Sequence, residues 1–353
     1  MPTKLFDVII IGAGQAGLSV AYYLKRANVD FILLDDQLQS GGAWQHTWPS
    51  LRLFSPALMS SLPGKLMPKA QQGEYPHRDE VLSYLADYEK HYKFPVYRPH
   101  CVHSVVRDTQ NQCLRVSDAK HTWLAKTVVS TTGTWSNEQT PNIKGLDNYQ
   151  GEQCHSAHYA GPEAYKNKRV LVVGGGNSGA QIVAELADIA NTSWVAREQP
   201  LFLPDDVDGR VLFERATARI ASAKSDEPVG GIGDIVMIPT VKAARDKGQL
   251  NTVTMFESFT EHGVVWPDGS KEHIDAIIWC TGFKAELKHL TELEVLEPNG
   301  TVAVCDGQAK KEPRLWLFGY GDWASPGSAT LIGAGRSARE NVPKLIEFLK
   351  RHS

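Results

Sequence analysis

Two glycine-rich segments carry the residues of this chain whose types and spacing are most specific for chemistry. The first is Gly12-Ala13-Gly14-Gln15-Ala16-Gly17, and the second is Gly174-Gly175-Gly176-Asn177-Ser178-Gly179. In a G-x-G-x-x-G segment the first glycine permits a tight turn, the second lets the backbone approach a pyrophosphate, and the third lets a helix pack on a strand. The helix that follows directs N–H groups and its positive end at the phosphates. Each segment therefore predicts a dinucleotide site.

The two segments differ in the side chain that would face the adenosine ribose. Asp35 lies 23 residues after Gly12, and Arg197 lies 23 residues after Gly174. A carboxylate accepts hydrogen bonds from ribose hydroxyls, whereas an arginine fork pairs with a 2′-phosphate. NADPH is therefore the expected ligand of the second segment. The adjacent Glu198 could accept from a free 2′-hydroxyl, so NADH use stays open, as does a merely solvated role for Arg197.

Both segments lie in a strand–loop–helix–strand unit, which is the context that a dinucleotide loop needs. The predicted strand, helix and strand are 6–11, 15–27 and 31–34 in the first unit, and 169–173, 178–190 and 193–196 in the second. The repeat predicts an α/β fold with two Rossmann-like domains, the two-dinucleotide-binding flavoprotein fold. We place the FAD-binding domain at 1–160 and 277–353, with the NAD(P)H-binding domain, 161–276, inserted in it.

The rest of the chain gives weaker patterns. Residues 41–80 are rich in Gly, Pro, Trp and Ser, which is typical of an irregular region over a ligand. A linker is predicted at 135–168 and a helical insertion at 205–250. The remaining predicted elements are helices at 79–93 and 328–351, and strands near 96–106, 113–117, 122–131, 274–280 and 315–318.

Short segments after predicted strands supply further ligand contacts. The stretch from Gly41 to His46 follows Asp35; its paired glycines let the backbone approach a flat cofactor, and Trp44 offers a stacking wall. Thr132-Gly133 and Cys280-Thr281-Gly282 each end an apolar strand. We expect these two segments to be the points where the chain crosses between domains.

A carboxylate near the C-terminus is a further candidate for a contact with the flavin. Asp322 follows a predicted strand and could bond the polyol of a flavin, with Thr330 at the start of the next helix. Capping of a turn is the alternative for Asp322.

Composition excludes several classes of partner. The chain has 37 basic and 40 acidic residues and a net charge of −3, so it has no electrostatic footprint for nucleic acid or an anionic membrane. The apolar run Val8–Ile11 is too short, and too closely followed by glycines, for a signal peptide or a membrane span. Five cysteines form no C-x-x-C pair, which argues against a disulfide framework or a zinc site. We expect a soluble protein of the reducing cytoplasm, without a metal.

The segment from Tyr149 to Tyr159 resembles a known fingerprint. Tyr149, Gly151, His155 and Tyr159 match F-x-G-x-x-x-H-x-x-x-[W/Y] of the class B flavoprotein monooxygenases, with tyrosine in the first place. With the glycine loops, the glycine-tryptophan segment and the T-G-F, the resemblance spans nearly the whole chain. It is nearest to small bacterial flavin-containing monooxygenases that use NADPH and NADH. Ala160, where typical Baeyer–Villiger enzymes have Trp-Pro, favours this branch.

The resemblance implies that the flavin performs the chemistry. NAD(P)H would reduce FAD, and O₂ would then give a C4a-(hydro)peroxyflavin that oxygenates a small organic sulfide or amine, or a ketone in a Baeyer–Villiger reaction. No side chain is assigned as an acid or base. Phe54 is a candidate beside the flavin, where many relatives have asparagine, and His155 is a candidate at the domain junction.

The resemblance and the motifs together imply two sets of cofactor contacts. For FAD they are Gly12, Gly14, Gln15, Ala16, Gly17, Asp35, Gly42, Ala43, Trp44, His46, Val102, Thr132, Gly133, Asp322 and Thr330. For NAD(P) they are Gly174, Gly176, Asn177, Ser178, Gly179, Arg197, Glu198, Cys280, Thr281 and Gly282.

Two other functions fit the same loops. A disulfide reductase of the thioredoxin-reductase type would need a redox cysteine pair, and Cys154 and Cys280 could meet only by folding. A non-enzymatic sensor of the ratio of NAD(P)H to NAD(P)⁺ would need no substrate site at all. The sequence leaves open whether the chain forms a homodimer.

Overall fold

The structure is a computed structural model that describes residues 4–207, 211, 234–325 and 327–352. Most of the insertion predicted at 205–250 therefore lies outside the described residues, although Pro239–Asp246 forms a helix. The chain folds as two units. Unit 1 comprises Met1–Gln45, Pro56–Asn137 and Lys284–Ser353, and unit 2 comprises His46–Ser55 and Glu138–Phe283. The domain limits predicted from the sequence are defined by the ligand of each domain, and they stay a prediction.

The helices and strands are numbered in chain order. The helices are α1 (Gln15–Arg26), α2 (Arg78–Tyr92), α3 (Asn177–Leu186), α4 (Pro239–Asp246) and α5 (Leu331–Arg351). The strands of unit 1 are β1 (Leu5–Ile11), β2 (Phe31–Leu34), β3 (Val96–Tyr97), β4 (Ser104–Asp108), β5 (Cys113–Ser117), β6 (Thr122–Ser130), β15 (Val304–Cys305), β16 (Gln308–Ala309) and β17 (Leu315–Leu317). The strands of unit 2 are β7 (Glu152–His155), β8 (Arg169–Val173), β9 (Asn191–Val195), β10 (Thr252–Val253), β11 (Ser258–Thr260), β12 (Gly263–Val265), β13 (Lys271–His273) and β14 (Ala276–Trp279).

β1 is central in the sheet of unit 1 because its apolar run is covered on both faces. Val8 to Ile11 are buried, and β1 lies between β2 and β6, parallel to both. The sheet has the order β15-β16-β17-β6-β1-β2-β3, and the antiparallel hairpin β4–β5 joins it through β6. A continuous apolar run is typical of parallel strands buried on both faces. The strands predicted at 6–11 and 31–34 are confirmed.

Unit 2 repeats this arrangement around β8. Its sheet has the order β10-β9-β8-β14-β7, with every pairing parallel. In each unit the strand before the glycine loop lies between the strand that follows the loop's helix and a strand from much later in the chain. A separate antiparallel sheet is made of β11, β12 and β13. The chain therefore has the two-dinucleotide-binding flavoprotein fold predicted from the repeat.

β7 corrects the prediction that 135–168 is a linker. Glu152–His155 pairs in parallel with β14, and Cys154 lies opposite Ile278. The local sequence, EQCH, contains no β-branched residue and follows Gly151, so it has none of the usual strand signals. It forms a strand because β14 presents an open edge for it, which is a tertiary cause.

The helices predicted at 15–27, 79–93, 178–190 and 328–351 are confirmed, with ends that differ by no more than four residues. No helix in the described part of the chain is long and apolar enough to cross a membrane.

Candidate dinucleotide sites

The first glycine loop connects β1 to α1 and packs against the end of β6. Gly12 has a φ of +100°, and a Cβ there would lie 2.7 Å from the carbonyl oxygen of Thr131. A Cβ on Gly17 would collide with the carbonyl oxygen of Gly12. The Thr131 hydroxyl donates to this same carbonyl at 2.9 Å. Both glycines are therefore required by the approach of backbone to backbone.

The second glycine loop is built in the same way. Gly174 has a φ of +133°, and a Cβ there would collide with the carbonyl oxygen of Cys280, the residue after β14. A Cβ on Gly179 would collide with the Gly174 carbonyl oxygen. The indole of Trp194 donates to this carbonyl at 2.7 Å. In unit 1 the Thr131 hydroxyl donates to the Gly12 carbonyl in the same way.

The two T-G pairs follow the residues that pack on the glycine loops. Thr131 precedes Thr132-Gly133, and Cys280 precedes Thr281-Gly282. Gly133 and Gly282 have φ angles of +68° and +80°, so the chain turns at each of them in a conformation that favours glycine. The T-G pairs thus lie at corresponding places beside the two loops.

The threonine hydroxyls of these pairs are bonded within the protein. The Thr132 hydroxyl donates to a backbone carbonyl at 2.6 Å, and the Thr281 hydroxyl donates to the carbonyl of Gln139. Two of the boundaries between the units fall after residues 137 and 283, four residues beyond the first pair and one residue beyond the second.

The helices that follow the glycine loops begin without a side-chain cap. Gly14 precedes α1 and Gly176 precedes α3, and neither helix, each described in full, has an acidic residue in its first turn. Ser178 lies in the first turn of α3. By contrast, His77 caps α2 and Thr330 caps α5. The first amides of a helix have no intrahelical acceptor, so the starts of α1 and α3 fit the phosphates of a dinucleotide.

Asp35, the predicted ribose ligand, is held by an ion-pair cluster that the sequence does not reveal. It is 3% exposed; its Oδ2 accepts from Nε of Arg98 at 2.6 Å, and its Oδ1 accepts from the amide of Ala13 at 3.2 Å. Two other nitrogens of Arg98 donate to Glu89 at 2.7 and 2.8 Å. Burial raises the pKa of Asp35, and Arg98 opposes that shift. The carboxylate is thus fixed and keeps lone pairs for ribose hydroxyls.

Residues 42–46 form a short 3₁₀ helix against the first glycine loop. A Cβ on Gly42 would lie 2.7 Å from the Cα of Gly14. The side chain of Gln15 accepts from the indole of Trp44 at 3.0 Å and donates to the Ala329 carbonyl at 2.6 Å. Three separate segments that were predicted to bind FAD therefore meet here.

Asp322 and Thr330 have structural partners of their own. Asp322 is exposed and accepts from the amide of Gly327 at 2.8 Å, so it caps a turn, as the alternative from the sequence has it. Thr330 caps α5 by accepting from the amide of Gly333 at 3.1 Å. Their contact with FAD stays a prediction.

The remaining predicted FAD residues differ in exposure. Ala16 is buried in α1, Val102 is half-buried, and Ala43 and His46 are exposed. His46 lies in unit 2, whereas the other predicted FAD residues lie in unit 1.

The predicted 2′-phosphate ligand lies just beyond β9. Arg197 and Glu198 are exposed, and neither has a hydrogen bond or ion pair with another described side chain. The Asn177 side chain is engaged, because it donates to the Asp234 carbonyl at 2.7 Å and accepts from the Val236 amide at 2.9 Å. Asn177 thus ties residues 234–236 to the glycine loop, while the guanidinium of Arg197 is available for an anion.

The fingerprint residues position the backbone of unit 2. Tyr149 donates to the Ile274 carbonyl at 2.9 Å, and a Cβ on Gly151 would collide with the Tyr149 ring. His155 ends β7 and is buried; its Nδ1 accepts from the amide of Ala157 at 3.1 Å, and its Nε2 has no hydrogen-bond partner among the described residues. Burial lowers the pKa of His155, and the carboxylate of Glu138, 3.5 Å from Nδ1, opposes that shift.

Residues 46–55 belong to unit 2 through Glu185 of α3, which sequence reasoning missed. Its Oε1 accepts from the indole of Trp48 at 3.2 Å and from the Ser50 hydroxyl at 2.6 Å, and its Oε2 accepts from the hydroxyl of Tyr159 at 3.1 Å. The partners lie far apart in the sequence, so no local signal reveals the cluster. Phe54 is half-buried in the same segment.

The folded chain brings Cys154 and Cys280 to neighbouring strands. Cys154 lies opposite Ile278, two residues before Cys280, so both side chains are on the same face of the sheet. Burial raises the pKa of both thiols. A dithiol that reduces or forms disulfides needs the opposite, a thiol with a lowered pKa. The shifts of both thiols are thus opposite in direction to those that favour thiolate formation in a redox dithiol.

Comparison with known proteins gives matches along nearly the whole chain. The family model for pyridine nucleotide-disulphide oxidoreductases matches residues 9–312. A solved flavin-containing monooxygenase from Stenotrophomonas maltophilia is 46% identical, with 98% of this chain and 99% of that chain covered and a TM-score of 0.89. The uncharacterized oxidoreductase CzcO of Bacillus subtilis (strain 168) is 30% identical over 97% of this chain and 99% of its own length. The probable indole-3-pyruvate monooxygenase YUCCA8 of Arabidopsis thaliana is 27% identical over 88% of this chain and 83% of its own length.

Proposed function

The chain belongs to the pyridine nucleotide-disulphide oxidoreductase family and is a flavin-containing monooxygenase, and we propose that it uses FAD, NAD(P)H and O₂ to oxygenate small organic sulfides and amines, with ketones as a further class. The similarity to the Stenotrophomonas maltophilia enzyme confirms the resemblance to flavoprotein monooxygenases. The observation that supports two dinucleotide cofactors is that α1 and α3, which each follow a glycine loop, begin without a side-chain cap.

Unit 1 is proposed to hold FAD. The start of α1 would bind the pyrophosphate, Asp35 would accept from the ribose hydroxyls, and Gly42 would let the backbone approach the cofactor. FAD, when bound, supplies the redox chemistry and the activation of O₂. The part of the protein is to bind and orient it, and Arg98 contributes by fixing Asp35.

Unit 2 is proposed to hold the nicotinamide coenzyme. The start of α3 would bind its pyrophosphate, as the start of α1 would bind that of FAD. The exposed guanidinium of Arg197 would pair with the 2′-phosphate of NADPH. Glu198, directly beside it, would accept from the free 2′-hydroxyl of NADH, so both coenzymes are expected to serve.

The proposed reaction balances without an acid or base supplied by the chain. NAD(P)H, a proton, O₂ and a sulfide give NAD(P)⁺, a sulfoxide and water. Two electrons come from the coenzyme and two from the sulfur; one oxygen atom goes to sulfur and the other to water. The buried His155 is not needed as a proton donor.

A thioether assay under ¹⁸O₂ tests this proposal. Purified holoenzyme, NADPH and a simple aryl methyl sulfide should give a sulfoxide with one ¹⁸O atom, and one NADPH should be oxidised for each sulfoxide formed. A parallel panel of amines and ketones would rank the substrate classes.

Other results of the same experiment would overturn the proposal. NADPH oxidation with only hydrogen peroxide as product would indicate an oxidase. Two new thiols per chain after reduction, with no oxygenated product, would indicate a disulfide reductase. Binding of both cofactors without turnover on any substrate would indicate a redox sensor.

Coenzyme choice gives a prediction at Arg197. Arg197→Ala should raise the KM for NADPH by about 10- to 100-fold, because a charge-assisted contact to phosphate is lost, and should leave the KM for NADH nearly unchanged. Steady-state kinetics with both coenzymes measures the ratio. Lys271→Ala, at an exposed position on β13, is the charge-matched control and should change neither value. Equal effects of Arg197→Ala on both coenzymes would show that Arg197 does not contact the 2′-phosphate.

A further inference from the structure

Three side chains that the proposed reaction does not use converge in unit 1. His100 follows β3, Asp118 follows β5, and His121 precedes β6. Each offers one ligand atom, and these atoms all lie within 4.8 Å of one another. The sequence predicts no metal here, because that expectation rested on cysteine spacing; the three residues come together only through the pairing of strands.

One carboxylate oxygen faces both imidazoles. Oδ2 of Asp118 lies 2.6 Å from Nδ1 of His100 and 3.2 Å from Nδ1 of His121. The other oxygen, Oδ1, accepts from the amides of Lys120 and His121 at 2.7 and 2.6 Å. These amides fix the orientation of the carboxylate, as the outer contacts of a metal ligand do. Oδ1 also lies 3.2 Å from Nδ1 of His121, so the donor set is two imidazole nitrogens and one carboxylate.

The three ligands are held by rigid parts of the fold. Asp118 and His121 are the ends of a tight turn, in which the amide of Asp118 donates to the carbonyl of His121 at 3.1 Å. His100 is tied from its own amide to the carbonyl of Asp35 at 2.8 Å. The ring of Trp123 lies 5.1 Å from that of His100 and 5.6 Å from that of His121. Side chains that are already ordered lose little entropy on binding.

The distances suit a small divalent ion. Ligand atoms about 2.0–2.2 Å from a tetrahedral zinc ion are roughly 3.3 Å apart, and the 3.2 Å between Oδ2 of Asp118 and Nδ1 of His121 is close to this separation. The 2.6 Å contact between Asp118 and His100 is a hydrogen bond, so these two side chains have to move apart by less than about 1 Å when an ion binds. Imidazole and carboxylate together favour Zn²⁺, Cu²⁺ or Ni²⁺ over Ca²⁺ or Mg²⁺. The side chain of His121 is 53% exposed, so an ion has a path from solvent, and water can complete its coordination.

We propose that His100, Asp118 and His121 form a binding site for one divalent transition-metal ion of the zinc type. The ion joins the β5–β6 turn to the segment after β3, and it needs both imidazoles in their neutral form, with Nδ1 as the ligand atom. Its expected effect is to stabilise unit 1, without a part in oxygen transfer.

Calorimetric titration with Zn²⁺ and electron paramagnetic resonance with Cu²⁺ test this site. The full chain is used as holoenzyme, without a histidine tag and after treatment with a chelator. We expect one ion per chain, nitrogen couplings from two imidazoles, and a higher melting temperature in the presence of Zn²⁺. His121→Asn should weaken Zn²⁺ binding roughly tenfold or more and leave the coupling of one imidazole.

His103→Asn is the matched control, because His103 is an exposed histidine on the same segment and not one of the three ligands. It should bind Zn²⁺ like the unchanged protein. His100→Asn is the second ligand variant, and flavin content and melting temperature without metal show that each variant is folded. Equal binding in His121→Asn and the unchanged protein, equal weakening by His103→Asn, or no binding of Zn²⁺ would overturn the proposal. None of these outcomes depends on oxygenase activity.

Discussion

His289 is a buried histidine whose ring faces the end of β6. It lies 3.0 Å from the hydroxyl of Ser130, and the same hydroxyl bonds that of Tyr320, whose hydroxyl also accepts from the amide of Thr132 at 3.1 Å. Burial lowers the pKa of His289 to about 4. A neutral ring is therefore part of the network beside one of the predicted FAD segments. The cost of charging that ring makes the network sensitive to acid.

The stability of the protein should fall in mild acid through His289. An unfolded histidine binds a proton near pH 6.5, whereas His289 in the folded chain does so only near pH 4. Between these values the unfolded state holds more protons, so the free energy of unfolding decreases as the pH falls. The expected loss through this residue is on the order of 2 kcal/mol between pH 7 and pH 5. Urea unfolding at the two pH values measures it.

His289→Asn removes the titrating ring and should flatten that pH dependence, whatever its effect on stability at pH 7. His262→Asn, at an exposed histidine with a side chain 63% accessible, is the control and should keep the dependence of the unchanged protein. An undiminished acid loss in His289→Asn would place the cause in other groups.

At the scale of elements, each glycine loop packs against the end of a strand that comes much later in the chain. Thr131 of the β6 end presses on Gly12, and Cys280 of the β14 end presses on Gly174. Gly176 differs, since it has a φ of −97° and a Cβ there would meet no atom within 4 Å. Within one loop the first glycine therefore serves the fold, and the second is left to serve the ligand.

Two alanine substitutions should separate these roles. Gly174→Ala puts a methyl group against a backbone carbonyl and forces a left-handed φ, so we expect a lower melting temperature and a loss of about 2 kcal/mol or more. Gly176→Ala should fold normally, yet raise the KM for NADPH because the methyl group stands where the pyrophosphate would approach. Thermal melting and steady-state kinetics give the two readouts. A normal melting temperature for Gly174→Ala would contradict the assignment.

At the scale of the whole molecule, the chain passes between the two units four times, after residues 45, 55, 137 and 283. Of the two stretches that make up unit 2, the ten residues 46–55 are the shorter. Within unit 2 they are held by Trp48 and Ser50, both of which donate to Glu185. Two donors of this segment, which lies in sequence between two stretches of unit 1, thus share one carboxylate of unit 2.

Glu185→Gln should loosen this segment. A glutamine oxygen in the place of Oε1 can still accept from Trp48 and Ser50, and its N–H group can donate to the Tyr159 hydroxyl, but three charge-assisted hydrogen bonds become weaker neutral ones, at a cost of about 1–2 kcal/mol. Limited proteolysis should show faster cleavage within 46–55, and urea unfolding should show the lower stability. Glu261→Gln, at an exposed glutamate of the same unit, is the control and should change neither. Unchanged cleavage in Glu185→Gln would mean that other contacts hold the segment.

Local patterns predict much of the fold but less of the site. Both strand–loop–helix–strand units could be predicted because apolar periodicity and the position of the glycines are properties of adjacent residues. Arg98 could not be found as the partner of Asp35, since it depends on the parallel register of β3 with β2. The strand at Glu152–His155, which pairs with β14, was missed for the same reason. Pairing between distant segments is decided by the whole sheet, and no window of sequence contains it.

The hydrogen bonds from residues 46–55 to Glu185 also decide which segments have to be exchanged together when a chimaera is made with a relative. A chimaera that takes only 138–283 from a relative would place a foreign residue opposite the host's Trp48 and Ser50. If the donor has no acceptor at the position of Glu185, two donors lose their partner at once. An exchange of unit 2 between relatives therefore takes two stretches of the gene, 46–55 together with 138–283, and not a single contiguous insert.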